Sequence, residues 1–395
     1  MRTFVTTTHN QNIYVKNYYS SNFKLGILGG GQLGRMLLTE TQKLDIYTLI
    51  LDASTDAPCT QICHEFHQGN LLNFDDVYNF GKRVDVLTIE IENVNIDALD
   101  KLESEGLTIY PKPKDIRIIQ NKRIQKQFYL DNKIPTVPFF HFSSIDELKK
   151  KKLSFPFVWK ATRFGYDGMG VKIVRNQEDI QKLPNVECIT EELVPFKNEL
   201  AVIVARNLSG ETKTYPVVEM EFHPEANQVE YVICPARIDE KIAQKAQKIA
   251  LKVAKSFNFV GLLAVEMFQT KDDTILVNEV APRTHNSGHY SIEASYTNQF
   301  EQHLRAILNL PLGNTASKIG GIMVNLVGED GHTGNVVYKN MEEILKIDGV
   351  TPHIYGKKIT KPFRKMGHVT IVHTNINKAR EIAQKVKEIV QVISE

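Results

Sequence analysis

The stretch from Phe23 to Asp52, "FKLGILGGGQLGRMLLTETQKLDIYTLILD", constrains the fold more than any other part of the chain. An apolar run, Leu25 to Leu28, enters three consecutive glycines, Gly29 to Gly31. Leu33, Met36 and Leu37 then recur at helical spacing, and a second apolar run, Ile46 to Leu51, ends at Asp52. This order predicts strand, tight turn, helix and a second strand, a βαβ unit. "VDVLTIEIENV" and "LTIYPKP" predict further strands before a proline-rich junction at Pro111 and Pro113. Gly26 to about Tyr110 therefore reads as a small parallel α/β domain. Gly29, Gly31 and Gly34 also match G-x-G-x-x-G, with Asp52 where a dinucleotide fold keeps its ribose-binding acid. Free N–H groups and the dipole at a helix N-terminus attract any phosphate. The motif thus points to phosphate more firmly than to a nicotinamide cofactor, and a turn without a ligand fits the same residues.

A length of 395 residues favours two or three domains. Lys plus Arg number 48 against 46 acids, so the charge balance gives no support to a nucleic-acid binder. Four cysteines in so long a chain make no disulfide framework; a reducing, cytoplasmic setting is expected. No apolar run is long enough to span a bilayer. Residues 1–22 lack Asp, Glu and an apolar h-region, so they are expected to be a poorly ordered extension and not a secretory signal. "CTQICHEFH", Cys59 to His67, has the spacing of no common zinc site.

Past the junction a basic helix, "IRIIQNKRIQKQFYLDNK", leads through "IPTVPFF" to a strand-rich region reaching about Leu310. Within it, "FPFVWKATRFGYDGMGVKIV" places Lys160 at the end of an apolar strand and Val171 at the start of the next. Gly165, Gly168 and Gly170 then lie in a hairpin loop whose N–H groups could close over phosphates, with Lys160 adding a fixed charge. A loose hairpin would look the same. Glu191 to Val194 are expected in a linker, with Glu199 opening a strand. "GLLAVEMFQTKDDTILVNEVAPRTHNSGHYSIEA" predicts an antiparallel pair with Glu266 on one strand and Glu279 on the other. Two facing carboxylates suit Mg²⁺ that also holds nucleotide phosphates, and burying both without a cation would raise a pKa. The last part, from about Ile319, alternates "GIMVNLVG", "HIYGKK" and "GHVTIVHT" with a closing helix, "KAREIAQKVKEIV".

The order glycine turn, lysine strand, glycine flap, "EELV", Glu266 and "NEVAPRTHNSGH" resembles the ATP-grasp superfamily. Within it, the chain is similar to the N5-carboxyaminoimidazole ribonucleotide synthases over nearly its whole length, from "GILGGGQLGRML" to "RKMGH". The resemblance implies an α/β ATP-grasp fold with an N-terminal Rossmann-like parallel-sheet domain and a small C-terminal domain. The implied divisions are 23–112, 113–312 with a flexible small lobe at about 135–195, and 313–395. It implies a ligase that joins ATP, bicarbonate and 5-aminoimidazole ribonucleotide through carboxyphosphate, using Mg²⁺ (with Mn²⁺ able to substitute), as a cytoplasmic homodimer without nucleic-acid or membrane partners.

By this resemblance Lys122 and Lys160 contact phosphates, and Gly165, Tyr166, Asp167, Gly168, Met169, Gly170 and Val171 form the phosphate flap. Glu191, Glu192, Leu193 and Val194 receive the adenine and Glu199 the ribose, while His223 and Asn278 neighbour the nucleotide. Glu266 and Glu279 hold the metal. Gly31, Gln32, Leu33, His285, Asn286, Ser287 and Gly288 meet the ribonucleotide or bicarbonate, with Lys357, Arg364 and Lys365 as the cationic cluster for its 5′-phosphate. Tyr166, Asp167, Arg283 and Glu90 are the implied catalytic residues. Met169 departs from the family, which carries Arg or Lys there, and Phe164 replaces a glycine. The readings set against this are another ATP-grasp carboxylate–amine ligase, a nicotinamide-dependent dehydrogenase and a non-catalytic nucleotide-binding module.

Overall fold

The computed structural model describes residues 18–163, 170–223 and 228–395. The expectation for residues 1–17 lies outside them, while Tyr18 packs edge-on against Phe23 at 5.2 Å. The N-terminal unit runs β1 (Lys24–Leu28), α1 (Gln32–Lys43), β2 (Tyr47–Asp52), β3 (Glu65–Gln68), α2 (Phe74–Gly81), β4 (Val86–Ile89), α3 (Ile96–Ser104) and β5 (Thr108–Ile109). Its sheet, ordered β3-β2-β1-β4-β5, is parallel throughout. The run Leu25, Ile27 and Leu28 is fully buried, as a strand covered on both faces must be. Cys59 to His64 form a turn leading into β3.

The single basic helix read from the sequence is two helices, α4 (Pro113–Ile119) and α5 (Lys122–Asp131). Asn121 divides them because its side chain caps α5, accepting the Ile124 N–H at 3.1 Å. Asn and Ser side chains likewise cap α2, α3 and four later helices, so polar punctuation sets most helix starts. A small lobe follows: β6 (Phe139–Phe142), α6 (Ile145–Lys150), β7 (Phe157–Ala161), β8 (Val171–Val174), α7 (Gln177–Gln181) and β9 (Cys188–Glu192). Its antiparallel sheet is ordered β6-β9-β7-β8 over a core around Trp159, Phe142 and Leu148.

Next come β10 (Phe196–Arg206), β11 (Thr212–Thr214), β12 (Val218–Phe222), β13 (Val229–Cys234), α8 (Glu240–Phe257), β14 (Gly261–Thr270), β15 (Ile275–Ala281), α9 (Ser291–Ala294) and α10 (Gln299–Ile307). The chain closes with β16 (Gly320–Val327), β17 (Gly334–Lys339), α11 (Met341–Ile344), β18 (Val350–Ile354), β19 (Ile359–Thr360), β20 (Lys365–His373), α12 (Ile376–Ile389) and β21 (Gln391–Ser394). The C-terminal strands divide between two sheets. β16, β20 and β18 extend the central sheet, ordered β15-β14-β10-β12-β13-β16-β20-β18, while β17, β19 and β21 form a small sheet beside it. Ala246, Ala250, Val253 and Phe257 of α8 bury one face against Leu200, Val202 and Leu263 of β10 and β14. On the other side, α10 brings Phe300 and Leu304 against Leu33 and Leu37 of α1, docking the N-terminal unit on the central one.

Candidate active site

The glycine turn is closed by the protein's own carboxylates. Gly29 has φ +102°, a left-handed conformation, and a Cβ on Gly31 would lie 2.6 Å from Glu90 Oε1. That proximity lets Glu90 accept the N–H groups of Gly31 at 3.0 Å and Gly34 at 3.1 Å. Asp52 accepts the Gly30 N–H at 2.7 Å. The amides that a dinucleotide pyrophosphate would need are therefore occupied, and Asp52 is committed to the turn itself. Gln32 and Leu33 are the first residues of α1, so their N–H groups have no carbonyl partner within the helix. Burial pushes the Glu90 carboxyl up, partly offset by its two amide donors.

Glu266 and Glu279 stand directly opposite one another in the β14–β15 ladder, at a bulge between Glu266 and Met267. Each has a different neighbour. Lys122, the first residue of α5, forms an ion pair with Glu279, and His285 Nε2 lies 3.3 Å from Glu266 Oε1. Lys122, with Lys160 behind it, holds the Glu279 carboxyl well below the usual range. Burial, and then Glu279 itself, push Glu266 up. The two carboxylates, neither fully buried, face one another with Lys122 paired to Glu279, so the pair fits a divalent cation. Among the described residues no group of three or more His, Cys, Asp and Glu forms a self-contained metal site. The remaining ligands would thus be phosphate oxygens and water.

Lys160 lies on β7 opposite Val171 of β8, where the sequence reading put it. Its ammonium donates to Asn278 Oδ1 at 2.8 Å and pairs with Glu191 Oε2 at 2.8 Å. Glu191 and Glu192 are the last residues of β9 and not part of a linker. The reason is pairing: Glu191 faces Phe139 of β6 and Val158 of β7 in register, which leaves only the next few residues to cross to β10. Leu193 and Glu192 are exposed and Val194 half-buried. Glu199 is the fourth residue of β10; burial pushes it up to about 7, with Lys160 opposing. Phe164, Gly165, Tyr166, Asp167, Gly168 and Met169 lie outside the described residues. On either side of them, the Ala161 N–H donates to Gly170 O and the Lys122 N–H to Thr162 O, each at 2.9 Å.

Arg283 Nε donates to Glu92 Oε2 at 2.6 Å, which aims its guanidinium from the N-terminal unit. Burial works against the Glu92 charge, but Arg283 outweighs it and keeps Glu92 low. His285 Nδ1 accepts the Ser287 N–H at 3.3 Å, which leaves the ring proton on Nε2, facing Glu266. Burial, Arg283 and Lys365 together press its pKa down to about 3, so the ring is neutral. Gln299 fixes this corner, accepting the His285 N–H and donating to its carbonyl. A Cβ on Gly288 would lie 2.4 Å from Gln299 Oε1, so glycine is a packing requirement there. Asn286 exchanges amide hydrogen bonds with Asn325 of β16, at 3.0 Å each way.

The C-terminal segment brings its cations to the glycine turn. Tyr355 is buried among Leu33, Met36 and Leu37, and Arg35 of α1 lies against Gly356. Lys357 lies over the Tyr355 ring and donates to Lys365 O at 2.7 Å; Lys365 acts electrostatically on both Glu266 and His285. Arg364 donates to Ile359 O at 2.5 Å. His223, the residue after β12, meets Phe363 edge-on at 5.9 Å. Sequence reasoning missed Arg35, Glu92, Lys126 and Gln299. Lys126 alone carried a local signal, its i+4 spacing from Lys122.

A lysine from a small antiparallel lobe, a carboxylate hairpin on a larger sheet and a parallel-sheet unit packed in front of both define an ATP-grasp protein. Family comparison agrees: residues 127–300 match the ATP-grasp domain, 23–120 the ribonucleotide synthetase preATP-grasp domain, and 321–382 the phosphoribosylaminoimidazole carboxylase C-terminal domain. The N5-carboxyaminoimidazole ribonucleotide synthase of Bacillus subtilis is 37% identical, over 88% of this chain and 91% of its own. The crystal structure of N5-carboxyaminoimidazole ribonucleotide synthetase from Thermotoga maritima superposes with a TM-score of 0.87 at 42% identity, covering 94% of this chain and 100% of that one. The Aspergillus clavatus enzyme, in complex with ADP and 5-aminoimidazole ribonucleotide, gives 0.85 at 35%, covering 93% and 98%. The chain belongs to the N5-carboxyaminoimidazole ribonucleotide synthase family. It spans 63% of the length of the first curated relative it matches, the phosphoribosylaminoimidazole carboxylase of Candida glabrata.

Proposed function

We propose that this chain is an ATP-dependent ligase that carboxylates 5-aminoimidazole ribonucleotide with bicarbonate in purine biosynthesis. The observation that carries the reading is the in-register pair Glu266 and Glu279, flanked by Lys122 on one side and His285 on the other. Bicarbonate is a poor electrophile because it would have to expel hydroxide. Transfer of the γ-phosphoryl group gives carboxyphosphate and ADP; loss of phosphate then delivers the carboxyl carbon as CO₂. The exocyclic amine attacks that carbon and gives up a proton. Lys122 and Lys160 would neutralise phosphate charge, and Glu199 would hold the ribose. Arg283, aimed by Glu92, and Glu90, clamped by Gly31 and Gly34, would face the bicarbonate and the amine. Glu266 and Glu279 would hold Mg²⁺, which supplies charge neutralisation at the phosphates. Lys357, Arg364, Lys365 and the N–H groups of Gln32 and Leu33 would take the ribonucleotide's phosphate.

The division into 23–112, 113–312 and 313–395, the homodimer and the cytoplasmic setting belong to the same reading. No helix among the described residues is long and apolar enough to cross a membrane. ADP release, coupled to a spectroscopic assay, tests the proposal. It should require 5-aminoimidazole ribonucleotide and fall when bicarbonate is withheld. ADP release indifferent to the ribonucleotide would overturn it.

A further inference from the structure

Lys126 is a buried lysine in the candidate site with no role in the mechanism above; it is only 2% exposed. It lies one turn along α5 from Lys122, on the same helical face. Its ammonium pairs with Glu191 Oε1 at 2.7 Å and donates to Thr136 Oγ1 at 2.8 Å, and Thr136 in turn donates to the Val277 carbonyl. The other Glu191 oxygen holds Lys160. One buried carboxylate thus lies between two ammonium groups, one at the nucleotide site and one behind it.

We propose that Lys126 is a positioning residue for nucleotide binding: by holding Glu191 from behind, it orients Lys160 and leaves the trio with one net positive charge for the phosphates. This rests on the ATP-binding reading above. Without Lys126, Glu191 would cancel the charge of Lys160 and draw it away from the nucleotide. Burying a carboxylate with one lysine already satisfies its charge, so a second lysine too enclosed to reach solvent needs a reason. Net charge at the site supplies one.

The groups that act on Lys126 are Glu191 on β9, Lys160 on β7 and Lys122 on its own helix, with the Thr136 hydroxyl as its hydrogen-bond partner. Burial, with Lys160 adding to it and Glu191 opposing, brings Lys126 down to about 8. Its charge is therefore lost on going from neutral to mildly alkaline pH, whereas an arginine would keep its own.

The test is calorimetric titration with a non-hydrolysable ATP analogue and MgCl₂, without bicarbonate or ribonucleotide. Lys126→Met should weaken binding about tenfold, and Lys126→Arg should restore most of it. The wild type should bind more weakly at about pH 9 than at about pH 7, and Lys126→Arg should lose most of that dependence. Glu199 and Glu266 titrate alike in both proteins, so the difference between them reports residue 126. Should Lys126→Met not fold, the comparison of wild type with Lys126→Arg decides. Unchanged affinity in folded Lys126→Met, or equal pH dependence in wild type and Lys126→Arg, overturns the inference and leaves the ligase reading intact. A wild type that does not bind the analogue overturns both.

Discussion

Glu279 carries two duties, as the partner of Lys122 and as the carboxylate facing Glu266 across the hairpin. Glu279→Gln keeps the shape and removes the charge, so turnover should fall roughly 10²-fold or more at saturating Mg²⁺. Steady-state ADP formation checks this, and a near-normal rate would remove Glu279 from the metal site. The glycine turn gives a second expectation. Its amides at Gly30, Gly31 and Gly34 already serve Asp52 and Glu90, and two carboxylates repel a pyrophosphate. Fluorescence titration with NADH or NADPH should show no saturable binding in the micromolar range; saturation there would revive the dehydrogenase reading. At this scale the sequence was legible where chemistry is local. Glu266 and Glu279 could be found because one hairpin joins them. Glu92 and Gln299 could not, since Glu92 meets Arg283 and Gln299 meets His285 only after distant segments fold together.

Among the elements, α5 sets the site's charge. Asn121 stops α4, caps α5 and so fixes the rotation that turns Lys122 toward Glu279 and Lys126 toward Glu191. Asn121→Ala should cost about 1 kcal/mol of stability through the lost cap. It should also raise the KM for ATP, because both lysines hang from the first turn and the one after it. Denaturant unfolding and steady-state kinetics measure the two effects; lost stability with an unchanged KM would show that the lysines are held by their carboxylates alone. The sequence read α4 and α5 as one helix because the apolar spacing continues across the break. A buried Asn was the only mark of it, and a cap cannot be told from a mid-helix Asn without knowing where the backbone turns.

At the scale of the whole molecule, the sequence showed the strands of the last part of the chain but not their partners, because strand partners distant in sequence leave no local trace. In the structure β13 pairs with β16, and Tyr231 and Ile233 share a core with Ile322, Val324 and Ile371. A chain ending at Leu312 would uncover that core and the edge of β13, and should aggregate instead of melting as a soluble species. A sharp thermal transition near that of the full chain would contradict this. The shared sheet also has a geometric consequence. Five inter-strand steps separate β14 from β20, and at about 4.8 Å each a flat sheet would hold Lys365 roughly 24 Å from Glu266. Yet Lys365 lies near enough to Glu266 to act on its charge. The sheet must therefore curl until its distant strands look across a shared hollow, and curvature, which no single residue contributes, brings the Lys365 cation within electrostatic reach of the Glu266 carboxylate. Substitutions in β12 or β13 that flatten the sheet would separate the two without touching either.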